Sequence, residues 1–246
     1  MLGVAQTAWS AGARQVVYRS DAYSANLLLA VPFSSRTGMT DIAWRIRGSG
    51  GSDAVSDGVN TDMSTAQVKW TSSPNYGQSV KSTNTVGEQS LTYTLPSALP
   101  SATAGSNSYV VEAWFYANSA TTNANWALSS ADVNGRWLFG INTGSLFTFA
   151  TQNDCGIGSG WHHVAIVLDG GTRRFYSDGI YRGAWDTANT GFTTLHIAQF
   201  DSTDANDYNG WIQDLRVTSG TNRGYTGINP VTANFTLPDS IILSMG

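Results

Sequence analysis

From Trp161 to Leu168 the side chains alternate in steps of two. His162, Val164, Ile166 and Leu168 fall on one face of an extended chain, and Trp161, His163, Ala165 and Val167 on the other. That is the period of a β-strand and not the 3.6-residue period of a helix. Two further runs, Arg174-Phe-Tyr-Ser-Asp-Gly-Ile-Tyr181 and Trp211-Ile-Gln-Asp-Leu-Arg-Val-Thr218, have the same character, so the three together predict one antiparallel sheet. Asp178-Gly179 lies where a two-residue hairpin turn belongs. A type I′ turn needs positive φ at both central residues, which Gly takes freely and Asp tolerates.

The rest of the chain repeats the pattern at intervals of 10 to 15 residues, with turn signals between the runs. Gln15–Tyr18 reads as a short strand. Ser24–Phe33 reads as a buried first strand ending near Pro32, where the ladder loses a donor. Gln67–Trp70 and Tyr76–Val80 read as short strands, and Leu91–Leu95 as one that stops at Pro96. Tyr109-Val-Val-Glu-Ala-Trp-Phe-Tyr116 is the strongest strand before residue 160. Trp126–Ser130, Arg136–Asn142 and Ser145–Thr151 follow as a meander. No helical stretch competes, so the expectation is an all-β, antiparallel two-sheet β-sandwich of jelly-roll type. Residues 1–22 have no firm period and read as an N-terminal arm, the alternative being a loose leader. Residues 23–246 form the domain.

Charged residues make up 12% of the 246 and the formal charge is −4. The absence of a basic field excludes nucleic-acid binding through phosphates. No apolar run approaches the ~18 residues of a membrane span, so no membrane insertion is expected. Met1-Leu-Gly-Val-Ala has neither the basic nor the apolar region of an export signal. Cys155 stands alone, without an intrachain disulfide partner or a visible activator for its thiol. A neutral surface of Ser, Thr, Asn and Gly, in a chain without disulfides, fits a virion protein made in the host cytoplasm. It fits equally a subunit covered by its neighbours.

Four motifs occur in a fixed order: Tyr109–Tyr116, Gly160-Trp-His-His-Val-Ala165, Phe175-Tyr-Ser-Asp-Gly-Ile180 and Asp214-Leu-Arg-Val-Thr218. In this the chain resembles the laminin-G-like branch of the concanavalin A-like lectin/glucanase superfamily over roughly residues 21–240. The closing Arg223-Gly-Tyr-Thr226 and Asn234-Phe-Thr-Leu-Pro238 are similar to the end of that domain in virion proteins of tailed phages, notably marine cyanobacterial phages. The resemblance implies one concave and one convex sheet. Val111, Ala113 and Phe115 would then pack between the sheets, while Glu112, Trp114 and Tyr116 would face the concave surface or a subunit contact.

The resemblance also bears on activity. Sugar-cleaving members of the superfamily carry carboxylates in a Glu-x-Asp-x-(x)-Glu arrangement on one strand, since the chemistry needs a nucleophile and an acid ~5–5.5 Å apart. This chain has only two Glu, Glu88 and Glu112, and no acid at the required spacing from Glu112. No enzyme is expected. Asp201, Asp204 and Asp207 crowd one loop and are the candidates for Ca²⁺, because laminin-G-like domains often hold calcium with scattered Asp; the alternative is a solvated acidic turn. His162 and His163 point to opposite faces and cannot jointly ligate one metal. One is expected inward with a bonded ring and the other outward.

Nine Trp is a high count, and Trp suits sugar stacking, sandwich cores and interfaces alike. The candidate glycan or interface contacts are Glu112, Trp114, Tyr116, Trp137 and Trp185, with Trp126 and Trp211 as further groove candidates. Ser130–Trp137 resembles a sialidase Asp-box with its Gly displaced by one, and reads as a hairpin turn. The function expected is a non-enzymatic virion structural protein of a tailed phage, a capsid decoration or cement protein. It would contact the major capsid protein or tail proteins, and self-associate as a homo-oligomer. The alternative is a lectin-like receptor-binding module for a cell-surface glycan.

Overall fold

Ser108–Ala117 sorts its side chains by parity. Tyr109, Val111, Ala113 and Phe115 go to one side, fully or almost fully buried, and Glu112, Trp114 and Tyr116 to the other. The computed structural model describes residues 16–18, 23–35, 38–43, 61–70, 77–82, 91–101, 105, 107–117, 125–130, 139–142, 145–148, 159–185, 191–197, 210–225 and 242–245. In chain order the strands are β1 (Val16–Tyr18), β2 (Leu27–Val31), β3 (Thr61–Ser64), β4 (Ser79–Ser82), β5 (Leu91–Leu99), β6 (Ser108–Ala117), β7 (Asn125–Ser130) and β8 (Phe139–Asn142). They continue as β9 (Ser145–Thr148), β10 (Gly160–Asp169), β11 (Thr172–Ser177), β12 (Ile180–Trp185), β13 (Phe192–Ile197), β14 (Gly210–Ser219) and β15 (Ile242–Met245).

An eight-stranded sheet runs β12-β11-β10-β6-β14-β4-β3, with β2 also on β14, and a five-stranded sheet runs β5-β13-β7-β8-β9. Every pairing is antiparallel, as the sequence leads one to expect. One continuous apolar cluster joins the two sheets. Leu29, Val111, Phe115, Ile166 and Leu215 enter it from the larger sheet, and Leu91, Tyr93, Leu195 and Ile197 from the smaller. Each large side chain so buried contributes ~1.5–3 kcal/mol. This is the expected β-sandwich.

Several local expectations change. Asp178 and Gly179 have φ of 50° and 75°, the pair of positive values that a type I′ turn requires between β11 and β12. Pro96 does not end its strand: β5 continues to Leu99. β5 lies at the rim of its sheet, where a missing N–H costs no ladder bond. Residues 67–70 are not a strand but a turn-containing segment laid over the larger sheet, and β3 lies just before them at Thr61–Ser64. β4 begins at Ser79, not Tyr76, and Ser24–Asn26 is a short 3₁₀ turn leading into β2. β13 carries the pattern Phe192, Leu195, Ile197 inward, a broken alternation that strand scanning passes over. The short strand expected at 15–18 is present as β1, and its partner is β15 near the other end of the sequence.

Candidate functional site

The outer face of the eight-stranded sheet, turned away from the sandwich core, is built in cross-strand rows. Ala165 of β10 stands opposite Glu112 of β6, which stands opposite Arg216 of β14. One step along, His163, Trp114 and Gln213 form a row. At the next, the row is Trp161, Tyr116, Trp211 and then Lys81 of β4. Side chains directly opposite on neighbouring strands lie about 4.5–5.5 Å apart at Cβ, so each row is a line of contact.

Glu112 is 2% exposed and sits in a shell of donors. Arg216 Nη2 lies 2.8 Å and Arg223 Nε 3.0 Å from its Oε1, while the Tyr225 hydroxyl donates to Oε2 at 2.8 Å and His163 Nε2 lies 3.3 Å from that same oxygen. Burial pushes the carboxyl upward in pKa. The Arg216 charge, the His163 hydrogen bond and the Arg223 charge outweigh it and hold the group far below the ordinary carboxylate range. The same contact pushes the Tyr225 phenol well up, through burial first and the Glu112 charge second. A carboxylate fixed as an anion, ion-paired at Oε1 and hydrogen-bonded at Oε2, is neither an acid at neutral pH nor an open nucleophile.

Two stretches of the chain itself cover this face. Residues 220–225 bring Arg223 and Tyr225 onto Glu112, and Tyr225 packs with Val110, Ala165, Val167 and Tyr176 in a second apolar cluster. Residues 64–70 lie across β14. Lys69 N–H donates to Gln213 Oε1 at 2.9 Å, Trp70 Nε1 donates to Asp214 Oδ2 at 2.5 Å, and Trp70 meets Trp114 edge-on at 5.6 Å. A bulge makes this possible. The register slips between Gln213 and Arg216, and Asp214 takes φ of 54°, a conformation that costs a non-glycine residue energy and re-aims neighbouring side chains. Gln213 Nε2 donates to the carbonyls of Phe33 and Gln78, which ties β14 to the loops beside it.

The candidate contacts separate accordingly. Glu112 and Trp114 face away from the core as their parity requires, yet they are buried under the chain's own covering segments and not presented to solvent or to a neighbouring subunit. Tyr116 is half-buried. Trp161 meets its ring at 5.6 Å and 76°, and Trp211 at 5.3 Å and 86°. Trp211 was among the groove candidates; Trp161 and Lys81 join it only through register. Trp185 ends β12 opposite Arg173. Trp137, Trp126's side chain, Cys155 and the Asp201, Asp204 and Asp207 loop lie outside the described residues. Among the described residues no three His, Cys, Asp or Glu gather as metal ligands.

The two histidines separate by face, with the buried one in an unexpected place. His163 is 1% exposed but lies on the outer face beside Glu112, edge-on to Trp114 at 5.3 Å. His162 Nδ1 lies 2.6 Å from Asp178 Oδ2, and the His163 backbone N–H donates to Asp178 Oδ1 at 3.0 Å. Burial raises the Asp178 carboxyl, but the His162 and His163 hydrogen bonds prevail and hold it below its usual value. The turn residue thus pins β12's hairpin to β10. Asp178→Ala is expected to cost about 1–2 kcal/mol, from the lost bonds and a positive φ that Ala takes poorly, measured as a lowered urea midpoint.

With the geometry in view, comparison with known proteins settles the family. Residues 91–221, just over half of the chain, match the Laminin_G_3 model of the concanavalin A-like lectin/glucanases superfamily. The chain belongs to this family. The matched laminin-G-like stretch runs from β5 through β14 to the start of the segment that carries Arg223 and Tyr225. No curated protein matches the sequence. Among solved structures the fold is similar to the botulinum neurotoxin serotype D binding domain, at 15% identity and a TM-score of 0.54, over 80% of this chain and 49% of that one. It is similar also to the receptor binding domain of the mosaic serotype C/D neurotoxin, at 13% identity and a TM-score of 0.53, over 80% and 48%. A third similar structure, from neurotoxin type C at 14% identity and a TM-score of 0.53 over 80% and 48%, is described by the dependence of that toxin's cell entry on two ganglioside molecules. The chain spans about half the length of the toxin domains it matches. No helix among the described residues is long and apolar enough to cross a membrane.

Proposed function

We propose that this laminin-G-like chain is a non-enzymatic structural protein of a tailed-phage virion, a capsid decoration module that contacts the major capsid protein and further copies of itself. The state of Glu112 carries the non-enzymatic half of the reading. The one glutamate on the central strand is spent on Arg216, Arg223 and Tyr225 and roofed by the chain, so it serves packing and not sugar cleavage. The virion half rests on the similarity of residues 223–226 and 234–238 to phage virion proteins and on the low-charge polar composition. Quantitative mass spectrometry of purified particles tests it. Hundreds of copies per particle are expected; a handful would move the protein to the tail, and absence from particles would overturn the reading.

A second reading, recognition of a cell-surface glycan, is favoured by the half-buried Trp161, Tyr116 and Trp211 in one cross-strand row, and the ganglioside-dependent toxin with the same fold lends it support. Aromatic rings stack on the C–H faces of sugars. A glycan array in which no sugar gives a saturable signal would remove this reading while leaving the first intact.

A further inference from the structure

We propose that the row Trp161, Tyr116, Trp211 and Lys81 is a binding site for an acidic glycan, a sugar chain bearing carboxylate or sulfate groups. The inference rests on the glycan-recognition reading and adds to it an address and a charge. The row crosses four adjacent strands, β10, β6, β14 and β4. At ~4.7–4.9 Å per strand that is ~14 Å, enough for a short oligosaccharide laid across the strands. All four side chains are half-buried, whereas the next row is closed: His163, Trp114 and Gln213 are each buried. Both indoles stand nearly perpendicular to the Tyr116 ring and so flank it as two walls.

The charge follows from which polar groups here are already engaged. The acceptors nearby are occupied: Glu112 holds Arg216, Arg223 and Tyr225, Asp214 holds the Trp70 indole, and Ser64 Oγ accepts from Trp211 Nε1 at 3.4 Å. Two ammonium groups are not. Lys81 Nζ lies 5.6 Å from the Trp211 ring centre and Lys69 Nζ 4.2 Å from that of Trp114, and among the described residues neither ammonium has a carboxylate in contact. In register, Asp62 of β3 is the cross-strand partner of Lys81. Apolar ring faces and two ammonium groups complement a ligand with pyranose rings and negative charge.

Isothermal titration calorimetry of the full chain tests this, with oligogalacturonate and dextran sulfate as acidic probes and uncharged dextran as their counterpart. Saturable binding of an acidic probe is expected, roughly tenfold weaker in Lys81→Gln and lost in Trp211→Ala. Lys81→Gln alters one rim side chain, so its thermal midpoint should match the parent's and keep the test meaningful if Trp211→Ala fails to fold. Equal affinity for uncharged dextran would overturn the charge preference and leave glycan recognition standing. Acidic binding undiminished in both variants would overturn the site. No binding of any probe, together with a blank glycan array, would overturn the glycan reading itself.

Discussion

Replacing Glu112 by Gln is expected to cost at least about 3 kcal/mol of folding stability, because two guanidinium groups would remain buried without their anion. Arg216 and Arg223 have side chains only 7% and 9% exposed, so water does little to compensate. The substitution keeps volume and one acceptor oxygen, so the loss reports charge more than packing. Urea denaturation should show a lower midpoint with an unchanged slope, since the surface exposed on unfolding is the same. A midpoint equal to the parent's would show that the network gives no net stability.

The same network dictates an acid response. A carboxyl whose folded pKa is depressed stabilises the fold fully above its unfolded value, about 4.3 for Glu, and that stability is lost as pH falls from there toward the folded value. The depressed Asp178 carboxyl acts in the same direction over the same range. Thermal midpoints should therefore fall first below about pH 6.5, where burial holds the His196 ring below its ordinary value and the unfolded chain takes up its proton first, and more steeply below about pH 5. In Glu112→Gln the steep limb below about pH 5 should be shallower, leaving the Asp178 and His196 shares. A variant with an acid limb as steep as the parent's would count against Glu112 as its main source.

The second large effect lies on the other face of the same strand. Phe115 is 0% exposed, belongs to the cluster that joins the two sheets, and stands opposite both His162 and Ile212. Phe115→Ala is expected to cost about 3–5 kcal/mol, combining lost burial with a cavity that two opposed sheets cannot readily close. Phe115→Leu should cost much less, because most of the volume is kept. Denaturant midpoints of the two variants check this, and equal effects would show that the ring's burial is not what matters there.

Much of the fold was legible because strand formation and parity are local properties. Val164, Ile166 and Leu168 had to share a face, and Asp178-Gly179 had to turn, whatever their neighbours in space. The site was not legible, because its members are brought together by register between distant strands. Glu112 gains Arg216 across a ladder, Arg223 from a segment folding back, and His163 from the opposite neighbour. Nothing in the local sequence of any of these announces the others. The covering segment is illegible in the sequence for a related reason. Gln67-Val-Lys-Trp70 alternates like a strand, but its backbone N–H at Lys69 is taken by the Gln213 side chain and its Trp70 indole by Asp214. That arrangement exists only because of a bulge in β14, which a pattern of residue types does not reveal.

The pairing of β2 with β14 has a consequence for how the chain is made. Leu27-Leu-Leu-Ala-Val31 is one of the most apolar stretches in the sequence, and the strand that covers its edge, Gly210–Ser219, is synthesised about 180 residues later. At ~5–20 residues per second, β2 leaves the ribosome roughly ten to forty seconds before its partner does. Among the described residues this sticky strand has no other native edge to join in that interval. Production of this protein should thus be limited less by the stability of the finished sandwich than by what happens to β2 before β14 exists, and slower growth or a holding chaperone should raise soluble yield more than any core substitution.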